Sequence, residues 1–127
     1  MITLNEITAI RNVINEYIDM DINPKTAYKL VKIMNLTNQD AQFYDNKIND
    51  LLKKYGRRDD NGELIIDENG GIVIPTESIS QAEAELEELG AIEIDSLDGY
   101  FISLTELDEL KLSCRKINSL MPILKDE

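Results

Sequence analysis

The sequence predicts an α+β fold that is mainly helical, with a long central helix, a β-hairpin and short additional strands. Three observations predict it: one run of apolar residues at helical spacing that is far longer than its neighbours, several helix-capping motifs, and two short β-branched runs around an Asn-Gly pair. A chain of 127 residues suffices for one core. We therefore predict a single domain over 1–127, made of a helical hairpin (4–56), a β-hairpin (63–75) and C-terminal helices and short strands (78–124).

The long helix is predicted between Asn23 and Gly56. Asn23 followed by Pro24 is typical of an N-cap and a first helical position, and Gly56 is expected to end the helix in the left-handed conformation. The expected length is about 48 Å, more than a small domain needs, so we expect part of the helix to contact a partner. Residues at alternating steps of three and four form its predicted apolar seam: Ala27, Leu30, Met34, Thr37, Ala41, Tyr44, Ile48, Leu51 and Tyr55.

A weak point in this helix lies at 35–40, where Asn and Thr lower the helix propensity. Thr37 and Asp40 have the spacing of a capping box, so a second helix could begin there. The seam keeps its spacing across the stretch, which favours one continuous helix. The sequence leaves a break near Thr37 open.

The remaining elements follow from local motifs. Thr3 and Glu6 form a capping box for a first helix, which is expected to fold back on the long helix through a short link. The run 63–66 and the run 71–74 flank Asn69-Gly70 and predict the β-hairpin. Ser78, Ser103 and Ser113 are expected to cap three later helices, and the runs 91–95 and 100–102 are expected to be strands. No internal repeat is evident.

Charge is distributed unevenly along the chain. The formal net charge is −12, but residues 1–58 carry +2 and residues 59–127 carry −14. A strongly acidic half repels nucleic acid and anionic membranes and keeps a protein soluble, and it can attract a basic partner. No apolar run reaches the length of a membrane span, and the N-terminus lacks the basic region and apolar core of a secretion signal.

The usual catalytic and metal-binding residues are scarce. The chain has no His and one Cys, Cys114, which we expect to be a small core residue. The segment 59–63 resembles a calcium loop, but its Gly comes too early and no Glu stands at the required distance. A carboxylate pair for hydrolysis stays open as a weak alternative. We predict no catalytic, cofactor-binding or metal-binding residues, no cofactor and no enzymatic activity.

Basic residues have a structural explanation. Lys53, Lys54, Arg57 and Arg58 lie near the end of the long helix, where cations complement the helix dipole. Lys25, Lys29 and Lys32 are expected to form a solvated face opposite the seam. We therefore expect no direct contact with nucleic acid and no contact with a membrane.

Protein–protein contact is the remaining function class. The long helix and the residues after it are rich in Tyr, Phe and Arg, which are favoured at the centres of interfaces. The alternative is that the tyrosines lie at the edge of the core with their hydroxyls in water. The interface candidates are Tyr28, Phe43, Tyr44, Tyr55, Arg57 and Arg58.

The order of motifs resembles that of small uncharacterised proteins of tailed phages and prophages, mostly from Gram-positive hosts, that form a domain of unknown function. The motifs are the run Tyr44–Gly56 with the following 57–62, the hairpin, the acidic helix end at 87–89, the run 102–107 and the closing 120–124. The resemblance covers about Tyr28 to Leu124, and the pair Arg57-Arg58 departs from it.

The resemblance implies a phage context and assigns no catalytic residues. We expect a non-enzymatic structural or assembly protein of the virion, with other phage structural proteins as partners and self-association left open. It would be made in the host cytoplasm and end in the virion. The alternative is an acidic phage inhibitor of a host nucleic-acid-handling or defence enzyme, in which the acidic half would be the active surface.

Overall fold

The computed structural model describes residues 2–125 and confirms the mainly helical α+β class. The chain divides into two compact units. The first contains the chain up to Ala41 and again from Ile92, and the second contains Gln42–Ala91. The elements in order are β1 (Ile2–Thr3), α1 (Leu4–Asn15), α2 (Pro24–Tyr55), α3 (Thr76–Gly90), β2 (Glu93–Ile94), β3 (Ile102–Ser103), a 3₁₀ turn (Thr105–Leu107), α4 (Cys114–Leu120), a second 3₁₀ turn (Met121–Ile123) and β4 (Leu124–Lys125). The prediction of a single domain stays a prediction.

The predicted long helix is present as α2 and is unbroken at Thr37. Asn23 accepts a hydrogen bond from the Lys25 N–H through its side chain, as expected of a cap. Every seam position is buried or half-buried. The exposed large apolar side chains of α2 lie off the seam: Tyr28, Val31, Leu36 and Phe43. Contact of α2 with a partner stays a prediction.

Thr37 is fully buried and explains why α2 continues through its weak stretch. The Thr37 hydroxyl donates to the Ile33 carbonyl at 2.8 Å and accepts from Arg11 Nη1 at 2.7 Å. The Arg11 guanidinium also donates to the Met34 carbonyl at 2.8 Å and to the Asn38 side chain at 3.1 Å. One arginine of α1 thereby binds three acceptors within about one turn of α2, and the polar seam position serves to fix the helix pair.

The first unit packs around aliphatic side chains. The Thr3–Glu6 capping box forms as predicted. β1 pairs antiparallel with β2, and β3 pairs parallel with β4. The most deeply buried hydrophobic residues of this unit are Leu4, Ile7, Ile10, Ile14, Ile33, Leu97, Ile102, Leu120 and Ile123.

The second unit contains the predicted hairpin and a third backbone segment that the sequence did not predict. Ile65 N–H donates to the Arg57 carbonyl, Val73 N–H to the Ile65 carbonyl, and Arg57 N–H to the Val73 carbonyl, at 2.7–3.1 Å. These three hydrogen bonds form a closed ring of residues eight positions apart. Antiparallel bridges between Arg58 and Leu64 and between Ile66 and Ile72 flank the ring.

An internal repeat underlies this ring, so the expectation of no repeat is wrong. Residues 58–65 align with residues 66–73. In each, an Asp, a second acidic residue, Asn and Gly follow one another, at 59–62 and at 67–70, and after one further residue come two large aliphatic residues, at 64–65 and at 72–73. Asp59 Oδ1 accepts from the N–H groups two and four residues later, and Asp67 Oδ1 does the same. Gly62 and Gly70 have positive φ angles of 80° and 82°. The repeat is a turn that is built twice in the same way.

Gly56 is required for a reason other than the expected one. Its φ is not positive, so the prediction of a left-handed helix end is wrong. A Cβ at this position would lie 2.5 Å from the Leu52 carbonyl oxygen and 2.7 Å from both Leu64 Cδ2 and Ile72 Cγ2. Gly56 is therefore the small residue at which the two repeat side chains meet the end of α2.

Two further predictions are wrong. α3 begins at Thr76 after Pro75, with no side-chain cap, so Ser78 does not cap it. Cys114 is exposed because it is the first residue of α4, where the Ser113 side chain caps the helix as predicted. The inward face of α4 starts only at Lys116 and Ile117.

Thr37→Val should lower the free energy of unfolding by about 1–2 kcal/mol, because it keeps the shape but removes the hydroxyl that bonds Arg11. Thr37→Ser keeps the hydroxyl and should cost less. Urea denaturation measures both. If packing rather than hydrogen bonding stabilises this position, Thr37→Ser will lower the free energy of unfolding more than Thr37→Val does.

Gly56→Ala should destabilise the second unit by about 1–3 kcal/mol, because the backbone oxygen of Leu52 leaves no room for a methyl group. Gly71→Ala is the control, since its φ is not positive and the equivalent position of the first turn holds Glu63. Hydrogen exchange of the amides of Ile65 and Val73 reports the effect. Equal protection in both variants would contradict the close packing at Gly56.

Candidate interaction surfaces

A surface formed by α2 and the segment around Tyr100 lies in the first unit, and we name it the lysine–tyrosine surface. It is a shallow depression of about 610 Å³. Its lining residues are Pro24, Lys25, Tyr28, Lys29, Lys32, Tyr100 and Glu106.

Helical spacing places the cations of this surface together. Lys25, Lys29 and Lys32 stand at i, i+4 and i+7, so they follow one face of α2, and no acidic residue lies between them. Lys25 and Lys32 belong to none of the ion pairs found within residues 2–125. The predicted solvated lysine face is therefore present, and two of its three charges lack a carboxylate partner.

Two aromatic rings frame Lys32. Its Nζ lies 6.0 Å from the centre of the Tyr28 ring and 5.8 Å from that of the Tyr100 ring, within the range of a cation–π interaction. Tyr28 nevertheless has 66% of its surface exposed, the largest exposed fraction among the large hydrophobic residues described. An aromatic side chain held beside lysines but left in water is typical of a contact for a partner.

Lys29 is anchored differently from its neighbours. Its ammonium forms an ion pair with Glu106, whose carboxylate also accepts from the Ser103 N–H at 3.1 Å. Lys29 and the Ser103 N–H together hold the pKa of Glu106 below its ordinary value. The Tyr100 hydroxyl donates to the Lys29 carbonyl at 3.4 Å, and burial raises the pKa of Tyr100. These contacts fix the floor of the depression.

The second unit carries an apolar groove of about 190 Å³ between α3 and the end of α2. Ile79 and Leu86 of α3 border it and are each 40% exposed. The other lining residues are Ile48, Leu51, Leu52, Ile74, Ala82 and Glu83. The groove is small and almost wholly aliphatic, so it offers little to orient a polar ligand.

A basic depression lies near the start of α3 and includes Lys54, Arg57 and Arg58. Lys54 Nζ pairs with Glu85 Oε1 at 2.9 Å, and Arg58 donates to the carbonyls of Gly62 and Lys53. The Tyr55 hydroxyl and then the Lys54 ammonium lower the pKa of Glu85. Two of the cations predicted near the helix end, Lys54 and Arg58, therefore have local acceptors that explain them.

The exposed face of α3 is acidic. Glu77, Glu83, Glu87 and Glu88 are exposed and belong to no ion pair in the described part of the chain. Helical periodicity places the small, exposed residues Ser80 and Ala84 between them. We name these six residues the acidic α3 face.

The six predicted interface residues do not form one site. Tyr28 lies on the lysine–tyrosine surface, whereas Tyr55, Arg57 and Arg58 line the basic depression of the other unit. Phe43 is 44% exposed with Lys47 Nζ 5.6 Å from its ring centre, and Tyr44 is half-buried. Sequence reasoning missed Tyr100 and Glu106, because nothing local to them indicates that they reach α2.

The described residues hold no group of three or more acidic, Cys or His side chains arranged for a metal ion. The buried polar side chains among them are those of Thr26 and Thr37. None of the helices in the described range has the length and apolar character needed to cross a membrane.

Comparisons with known proteins give no further assignment. The chain matches no family model, and neither a curated protein nor a solved structure gives a significant match.

Acid should destabilise the protein partly through Glu106. Folding lowers the pKa of Glu106. The ion pair therefore stabilises the folded protein fully at a pH above the pKa of Glu in the unfolded chain, about 4.3. This stabilisation is lost as the pH falls through the lower pKa that Glu106 has in the folded protein. Glu106→Gln should therefore flatten the fall in urea stability between about pH 5 and pH 3. Glu88→Gln, which removes an exposed carboxylate outside any ion pair, is the control and should leave the slope nearly unchanged.

Proposed function

We propose that this chain is a non-enzymatic structural or assembly protein of a tailed bacteriophage virion, acting through protein–protein contacts of α2. The observation that carries the proposal is the lysine–tyrosine surface, where Tyr28 is 66% exposed between lysines of the same helix face. Aromatic and cationic side chains together are common in interface centres. The phage context is supported by the order of motifs from Tyr28 to Leu124.

Helix α2 suits an assembly role in a second respect. Within the first unit its inward side is anchored by Arg11 and the aliphatic core, so the outward-facing residues of that part of α2 are held in place by a packed helix. Binding through a rigid helix face loses little conformational entropy, which favours assembly from many weak contacts.

An acidic inhibitor of a host nucleic-acid-handling or defence enzyme is the second candidate. The acidic α3 face favours it, because four exposed carboxylates lie on one side of one helix with no cation on that helix. Such a protein would occupy a basic channel, and its complex would weaken steeply with salt.

Quantitative mass spectrometry of purified particles separates the two candidates. A structural protein will be found at a fixed ratio to the capsid protein in particles of the phage that encodes the chain. Absence from the particles, together with synthesis early in infection, would contradict the virion role and favour the inhibitor.

Tyr28→Ser should reduce incorporation into particles by about tenfold or more, because it removes an interface aromatic without touching the core. Asn49→Ser changes an exposed residue of the same helix and is the matched control. Unchanged thermal stability of both purified variants shows that folding is intact. Normal incorporation of the Tyr28 variant would exclude this surface from the assembly contact.

A further inference from the structure

We infer that copies of this chain associate head to tail, with the acidic α3 face of one copy bound to the lysine–tyrosine surface of the next. The inference rests on the proposed assembly function and names a second copy as the partner of that surface. Its basis is charge complementarity between two exposed faces of the same chain.

The two faces match in charge and in length. The unpaired Lys25 and Lys32 lie seven residues apart on α2, about 10 Å along its axis, and the glutamates of the acidic α3 face extend from Glu77 to Glu88, about 16 Å along the axis of α3. Two helices laid side by side can therefore place both ammonium groups within the length of the acidic α3 face. Lys25 and Lys32 and all four glutamates of the acidic α3 face have no ion-pair partner within the described chain.

The two faces are also complementary in shape. Tyr28 protrudes from the lysine–tyrosine surface, whereas Ser80 and Ala84 make a low strip along the acidic α3 face. A tyrosine ring can lie on such small side chains while flanking lysines reach the glutamates on either side. This places an apolar contact at the centre of the interface and charges at its rim, the usual arrangement in protein interfaces.

The pairing is heterologous, because the two faces differ and lie on different helices. Heterologous contacts build rings or open filaments rather than closed two-fold dimers. Each contact is small and exposed to salt, so it is weak in a single pair, and repetition in a multi-copy assembly strengthens it by avidity.

Charge reversal tests the pairing with purified full-length protein. Sedimentation equilibrium at low ionic strength should show a mass that rises with concentration for the native chain and returns to the monomer in about 0.5 M NaCl. The double variants Lys25→Glu/Lys32→Glu and Glu83→Lys/Glu87→Lys should each associate at least about tenfold more weakly. An equimolar mixture of the two should regain association, since each contact again joins opposite charges.

Matched controls change the same net charge elsewhere. Lys47→Glu/Lys53→Glu and Glu63→Lys/Glu68→Lys alter exposed residues outside both faces and should retain association. A native chain that stays monomeric at low salt, or a mixture that stays monomeric, overturns the inference even where particles contain the protein. Conversely, association of the purified chain without any virion content would leave the pairing intact and contradict the proposed function.

Single-stranded DNA is the other occupant to exclude, because lysines beside tyrosines also suit stacked bases. Fluorescence anisotropy with a labelled oligothymidylate should show no binding at low salt. Binding that is lost in Lys25→Glu/Lys32→Glu, with no self-association of the native chain, would assign the surface to nucleic acid and overturn the inference.

Discussion

The contact between Arg11 and the middle of α2 is the constraint on which the first unit depends. A guanidinium group enters the helix pair and satisfies the Met34 carbonyl and the Thr37 hydroxyl at once. A buried polar seam position normally weakens a helix interface, but here both the hydroxyl and the charge have partners, so the penalty for burial is offset. The geometry also fixes the rotation of α2 about its own axis. That rotation decides which side chains face water, and therefore places Tyr28 and the lysines on the outside.

Charge is segregated between elements, and this segregation connects the fold with the proposed function. α3 holds five glutamates and no cation, whereas the first two turns of α2 hold lysines without acids. Neither face is neutralised within the described chain, apart from Lys29 and Glu85, which are held by Glu106 and Lys54. Uncompensated charge on rigid helices costs self-repulsion in a monomer, and that cost is relieved when an oppositely charged face binds. Surfaces of this kind are better suited to reversible addition of subunits than to a permanent complex.

Much of the fold could be predicted because its signals are local. Asn23-Pro24, the Thr3–Glu6 box and the seam spacing each depend on neighbouring residues, and each was predicted correctly. The ring through Arg57, Ile65 and Val73 was missed because a third segment without β-branched residues joins the hairpin. Cys114 was predicted to be a core residue because apolar residues flank it on a helix. It is the first residue of α4 and is exposed. The lysine spacing was visible in the sequence, but Tyr100 comes from 68 positions beyond Lys32, and no short-range pattern indicates that approach.

The ring of three backbone hydrogen bonds in the second unit is closed, since each of its three residues donates to one and accepts from another. The edge of a sheet normally has unpaired backbone N–H and C=O groups, to which another strand can bind. Arg57, Ile65 and Val73 each already use their backbone N–H and C=O within the ring, so a third copy of the turn could join at this level only by breaking one of the three hydrogen bonds. These three residues therefore offer no unpaired backbone group to a strand of a neighbouring molecule.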